Sequence, residues 1–190
     1  MIFIYIHGFN SSPESYKAQC FSQFIHEQHP EHECISPQLS DQPAYAMSRL
    51  IELIENYIKQ SKVAVLGSSL GGFYATQLAQ QYDIKATLIN PAVNPQSLLI
   101  NYLGKNKNYH TGEEYEFTPA HIKQLDAISC DKLNQPDNLM VMLQTGDEVL
   151  DYRLAEKKYK QTHLMIEKGG DHSFQGFSRH CEAIYQFLQL

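Results

Sequence analysis

Residues 65–75 read "VLGSSLGGFYA", an apolar run that passes into a cluster of small residues around two adjacent serines. Glycine weakens helices and strands alike, so the crowding answers some local geometric need. A Walker phosphate loop requires a lysine after its glycines, but Gly71-Gly72 is followed by Phe73. A dinucleotide fingerprint would follow the first strand, and the "HGFN" turn there does not supply it. Gly67-Ser68-Ser69-Leu70-Gly71 does fit G-x-S-x-G, and it falls between an expected strand and an expected helix. In such an elbow the nucleophile adopts a strained backbone, tolerable only where the residues two before and two after lack bulk. Ser69 has Gly67 and Gly71 at those places, whereas Ser68 has Leu66 and Leu70. The pattern selects Ser69.

Outward from the elbow, short apolar runs alternate with helical patterns. Strands are expected at about 2–6, 33–36, 62–67, 85–90, 138–144 and 163–167, most of them continuous runs suited to burial on both faces. Ser12 and Pro13 predict an N-cap and first-turn proline for a helix reaching residue 28. Asp41 and Pro43 open a second helix whose Met47, Leu50, Ile51, Ile54 and Ile58 form one stripe. A third follows Ser69, a fourth spans about 151–160, and the last carries Phe177, Cys181, Ile184 and Leu188. Alternation of this kind predicts an α/β fold: a minimal, mostly parallel six-stranded sheet with helices on both faces. One domain over 1–190 is expected, interrupted at about 91–137 by "NPAVNP", "SLLINYL" and the polar, aromatic "GKNKNYHTGEEYEFTP". An insertion of that length inside a compact domain suggests a lid or binding segment.

Composition narrows the partners. With 43% hydrophobic and 19% charged residues the chain reads as globular, and its net charge of −6 offers no basic footprint for nucleic acid. No apolar run is long enough to span a bilayer, and "MIFIYIHG" lacks the length and flanking charge of a signal peptide, so the cytoplasm is the expected location. Cys20, Cys34, Cys130 and Cys181 are scattered and form no zinc pattern; free thiols are expected, with no metal and no cofactor.

A serine hydroxyl needs a base, and the base needs an orienting acid. Nine histidines compete for the first role. His26, His29 and His32 read as a solvated helix terminus, and His110, His121, His163 and His180 have nothing to single them out. His172 lies in the glycine-rich "EKGGDHSF" just beyond the last strand. Loops at the carboxyl ends of strands share one crevice, and an imidazole there exchanges protons near neutral pH. The acid is expected between the two in sequence, where "LQTGDEVLDY" offers Asp147, Glu148 and Asp151. Asp147 directly follows the turn glycine, Asp151 suits a helix cap and Glu148 a solvated loop charge, which favours Asp147. The expected oxyanion donors are the backbone N–H groups of Leu70 and, from the turn after the first strand, Phe9. His7 reads as a structural turn residue.

"YIHGFNSSPES", "LGSSLGGFYAT", "INPAVNP", "QTGDEVLDYR" and "GGDHSF" together resemble the YqiA-type family of small bacterial esterases, within the α/β-hydrolase superfamily. The resemblance runs from the first strand to the last of these motifs. It implies a Ser–Asp–His esterase, carries those roles onto Ser69, Asp147 and His172, and implies a sheet lacking the two leading antiparallel strands of larger hydrolases.

Two classes of function are compatible with these residues: a metal-independent serine hydrolase of acyl esters or thioesters, and a ligand-binding module on a hydrolase scaffold. Amidase or acyltransferase chemistry would use the same triad. Leu98, Leu99, Tyr102, Leu103, Tyr109, Tyr115 and Phe117 of the insertion are candidates to line an acyl pocket, with Lys105 and Lys107 weak candidates for a phosphate clamp. Acyl-chain length and oligomeric state have no signature in the sequence.

Overall fold

Successive residues of β1 (Ile2–Ile6) point to opposite sides of a sheet and so feed two separate cores. Phe3 and Tyr5 pack with Phe21 and Ile25 of α1 (Tyr16–Gln28), while Ile4 and Ile6 pack with Leu50 and Ile54 of α2 (Pro43–Tyr57). The computed structural model describes residues 1–108, 110–130 and 132–190. Along the chain follow β2 (Glu33–Ile35), β3 (Val63–Ser68), α3 (Leu70–Tyr82), β4 (Ala86–Ile89), α4 (Pro95–Leu99), β5 (Gly104–Lys107), β6 (Glu114–Phe117), α5 (Pro119–Ile128), β7 (Leu139–Gln144), α6 (Tyr152–Lys158), β8 (His163–Glu167) and α7 (Cys181–Gln189). The main sheet runs in the order β2-β1-β3-β4-β7-β8, and every pairing in it is parallel. This is the doubly wound α/β sheet of six strands that the alternation predicts. Residues of α1 and α7 share one core; those of α2, α3 and α6 share the other.

From β1 the chain crosses first to β2 on one side and then returns to place β3 on the other. Such a reversal opens a crevice outside the carboxyl ends of the strands. The turn after β1 and the start of α3 both end there.

Two boundaries differ from expectation. Helix α1 begins at Tyr16 because Ser12 closes a turn instead, its hydroxyl accepting from the Glu14 N–H at 3.2 Å and its carbonyl from the Ser15 N–H at 3.1 Å. The 91–137 segment is not an irregular loop: α4, a 3₁₀ turn, an antiparallel hairpin of β5 with β6, and α5 succeed one another. The hairpin pairs Lys105 with Glu116 and Lys107 with Glu114, opposite charges directly across the ladder.

Candidate active site

Ser69 joins β3 to α3 at φ 54° and ψ −121°, a backbone conformation that costs energy in any residue with a Cβ. The surroundings hold it there. Its N–H donates to the Ile89 carbonyl at 3.1 Å, and its own carbonyl accepts from the amides of Gly72 and Ala92 at 3.0 Å each. A Cβ at Gly67 would lie 2.2 Å from the Gly71 carbonyl oxygen, and one at Gly71 would lie 2.0 Å from that of Ile6. Neither position has room for alanine, which is the physical content of the G-x-S-x-G spacing.

His172 and Asp147 reach Ser69 from the loops after β8 and β7. The Ser69 Oγ lies 3.0 Å from His172 Nε2, and His172 Nδ1 lies 2.8 and 3.0 Å from the two Asp147 oxygens. Asp147 Oδ1 also accepts from the N–H groups of Val149 and Leu150, at 2.9 and 2.8 Å. An ionised carboxylate only accepts, so Nδ1 carries the proton toward Asp147 and Nε2 is left to accept from the serine hydroxyl. The Asp147 side chain is 2% exposed and that of His172 21%, so the acid is sealed while the imidazole faces the crevice. Asp151 instead caps α6 through the Arg153 N–H at 3.1 Å and pairs with the Arg153 guanidinium at 2.8 Å, which holds its carboxyl below the usual carboxylate range.

Three further side chains fix the histidine loop; the sequence reading passes over Asn90 and Gln144 and takes Glu148 for a solvated loop charge. Asn90, at the end of β4, donates to the carbonyls of Asp171 and His172 at 3.0 and 3.3 Å and accepts from the Gln144 N–H at 3.0 Å. Gln144, 2% exposed at the end of β7, accepts from the amides of Asp171 and Gln175 and donates to the Gln175 carbonyl and to Glu167. Glu148 accepts from the His172 N–H at 3.0 Å and so is more than a solvated charge. Burial works to raise the Glu167 carboxyl, but hydrogen bonds from Gln144 and Arg179 outweigh it and hold the group ionised. The available signal was a polar residue closing each of two otherwise apolar strands, "TLIN" and "LMVMLQ".

The turn after β1 forms the opposite wall. A Cβ at Gly8 would stand 3.2 Å from the Ser69 Cβ, which places the Gly8–Phe9 backbone against the serine. Leu70 opens α3, whose first N–H groups have no partner within the helix. His7 is buried, donates from Nδ1 to the Gly8 carbonyl at 2.9 Å and accepts at Nε2 from the Leu39 N–H at 3.3 Å, and burial lowers its pKa. It braces the turn.

The proposed pocket residues of the insertion separate. Tyr115 and Phe117 line a narrow cleft with Phe9, Leu70, Tyr74 and Leu99. Tyr102 meets Phe9 edge-on at 5.4 Å and is 42% exposed. Leu98 lies in a different hollow, with Val149 and Leu154, and Tyr109 lies outside the described residues. The hairpin is moored to the β1 turn by the Tyr115 hydroxyl on Asn10 Oδ1 at 2.6 Å and by Asn108 Nδ2 on the Ser11 carbonyl at 3.1 Å. His29 and His32 are half-buried and stack near Tyr185, His29 at 3.6 Å, rather than facing solvent. Among the described residues no cluster of three His, Cys, Asp or Glu side chains is arranged to hold a metal, and no helix is long and apolar enough to cross a membrane.

The model of the uncharacterised protein family UPF0227 matches residues 2–189. A UPF0227 protein of Pectobacterium atrosepticum is 30% identical over 192 residues, and one of Serratia proteamaculans 25%, each alignment covering 98% of both chains. Among solved structures, Est1E of Butyrivibrio proteoclasticus with ferulic acid bound superposes with a TM-score of 0.78 at 14% identity, over 99% of this chain and 88% of that one. Mouse alpha/beta hydrolase domain-containing protein 10 gives 0.76 at 14%, over 99% and 89%. At such identities the likeness is one of fold, and the fold is that of the α/β-hydrolases.

Proposed function

Because this chain belongs to the UPF0227 family, the YqiA-like group whose motifs it carries, we propose that it is a serine esterase acting on acyl esters or thioesters. The observation that carries the reading is the continuous hydrogen-bonded relay from Ser69 Oγ through His172 to Asp147, set on a strained elbow. Surrounding glycines and bonds maintain that strain, as expected where a backbone outlier serves chemistry.

His172 Nε2 takes the hydroxyl proton as Ser69 Oγ adds to the carbonyl carbon. Asp147 orients the ring and stabilises the imidazolium. The N–H groups of Leu70 and Phe9 receive the oxyanion; losing one such donor costs roughly a hundred- to a thousandfold in turnover in related chemistry. His172 returns its proton to the leaving oxygen or sulfur, then activates a water that releases the acyl group from Ser69. No step calls for a metal or cofactor.

A fluorophosphonate probe tests the assignment. It should modify Ser69, located by peptide mass, and Ser69→Ala should lose both the label and ester hydrolysis. Labelling of the Ser69→Ala chain at the parent's rate, or a parent that neither labels nor hydrolyses any ester, would remove the reading.

A further inference from the structure

Two hollows are lined by segments that hold Ser69 and Asp147, one by Gly8, Phe9 and Leu70 and the other by Ala92, Val149 and Leu150, and they differ in kind. The cleft beside Phe9 encloses about 40 Å³, room for a few water molecules, beneath the aromatic side chains of the hairpin. Between the segments after β4 and β7, an open groove of about 390 Å³ reaches the size of small-ligand sites. Pro91, Val93, Leu98, Val149, Leu150 and Leu154 give it an apolar lining. Val149 is 43% exposed and Leu154 53%, so two large apolar side chains face solvent across it.

The groove is built directly onto the relay. The Ala92 amide in one wall donates to the Ser69 carbonyl, and the amides of Val149 and Leu150 in the other donate to Asp147. The residues that line the groove are thus hydrogen-bonded to both ends of the relay, to the Ser69 backbone and to the Asp147 carboxylate. The lining carries a single charge, Asp151, and Arg153 neutralises it at the rim. Asn94 and Ser97 add only neutral polar groups, so nothing in the groove suits an anionic head.

We propose that this groove, formed by the segments after β4 and β7, is the subsite for an uncharged alkyl or aryl arm of the substrate. The proposal rests on the reading of Ser69 as the nucleophile and deepens it. The narrow cleft on the oxyanion side is left to a small group or to water. Which arm of the ester enters the groove, acyl or alcohol, is a matter of the two sources of the same chemistry. Either way, burying each added methylene raises kcat/KM by up to about fourfold until the groove is filled.

The test compares the parent with Leu154→Asp. Leu154 is solvent-facing in the first turn of α6, where an acidic residue suits the helix, and the variant should fold. One substrate series varies the acyl group from acetate to decanoate with 4-nitrophenol as the leaving group; the other varies the alcohol from methyl to decyl with acetate fixed. In one of the series the parent should climb with chain length. Leu154→Asp should flatten that climb at least tenfold, read as the ratio of kcat/KM for the decyl or decanoyl member to that for the shortest ester within each protein. In parallel, Ser69→Ala is titrated with decyl acetate and with methyl decanoate, following the methyl resonances of Val149 and Leu154. Flat series in an active parent, a climb that Leu154→Asp leaves intact, or methyl resonances indifferent to both esters would overturn the groove. Shifted methyl resonances without turnover of any ester would keep the groove and sink the esterase reading instead.

Discussion

The strand-end loops and the insertion hairpin meet over the same crevice, yet they are held by different physics. The Ser69 elbow and the loops after β7 and β8 are wedged by backbone contacts that no side chain larger than hydrogen survives, with Gly71 against the Ile6 carbonyl and Gly146 against the carbonyl of Gly170. The hairpin leans on the β1 turn through a tyrosine hydroxyl and an asparagine amide, beside a half-exposed Tyr102. Atoms that must sit within a fraction of an ångström are thus fixed by packing. Those that need only cover the cleft are tied by bonds worth about 1 kcal/mol each.

If that division is right, the largest effect belongs to the relay. Asp147→Asn should keep the fold while turnover falls by about four orders of magnitude, the size known for the equivalent change in a serine protease, where the amide favours the wrong imidazole tautomer. Asp151→Asn should leave turnover near the parent's, since asparagine caps a helix nearly as well. Turnover and melting temperature of both variants decide it; an inactive Asp151→Asn beside an active Asp147→Asn would reverse the assignment.

Next comes the wedge. In Gly71→Ala a methyl carbon would sit 2.0 Å from one carbonyl oxygen and 2.8 Å from another, and backbone cannot rotate away. A loss of about 3 kcal/mol or more is expected, at the upper end of overpacking. Denaturant unfolding within about 1 kcal/mol of the parent would mean the elbow is softer than its geometry implies.

Much of the site was legible because its constraints are local. Gly67 and Gly71 announce the elbow at fixed spacing, and "GGDHSF" and "TGDEV" put titratable residues directly after apolar strands. Asn90 and Gln144 were not legible, because an amide has no distinctive chemistry of its own. Their roles appear only when β4, β7 and β8 lie side by side and one buried carboxamide answers four groups from the histidine loop and its strand. The hairpin was missed for a related reason: "GKNK" and "EYEF" are short and charged, and become strands only by pairing Lys with Glu. Gln144→Leu probes this hidden layer. It should orphan the part-buried amides of Asp171 and Gln175, cost about 2 kcal/mol of stability and lower kcat ten- to a hundredfold through a displaced His172. A kcat equal to the parent's, with stability reduced, would assign Gln144 to the fold alone.

The brace under the β1 turn has a pH signature. Burial lowers the pKa of His7, so the unfolded chain binds more protons than the folded one in the window below the unfolded value of about 6.5. Its contribution is fully present above that value and is lost as pH falls toward the folded pKa, at no more than about 1.4 kcal/mol per unit. His180, also lowered by burial, adds a slope of the same sign. Unfolding free energies at pH 7.5 and 5.5 should therefore differ more for the parent than for His7→Gln; equal differences would place His7 outside the linkage.

The smallest effect belongs to the mooring of the hairpin, and it bears most directly on the contrast between the two regions. Tyr115→Phe removes one hydroxyl, which donates to Asn10 at 2.6 Å, and leaves the ring that meets Phe9. A bond of this type contributes about 1 kcal/mol, a factor of about five in a local opening equilibrium. Amide exchange should quicken by about that factor across β5 and β6, while protection in β3 and β7 and the overall melting temperature change little. The shortest esters should be turned over at the parent's rate, because the relay is anchored elsewhere. If protection falls equally in β3, the hairpin and the sheet open as one unit, and the mooring belongs to the rigid frame after all.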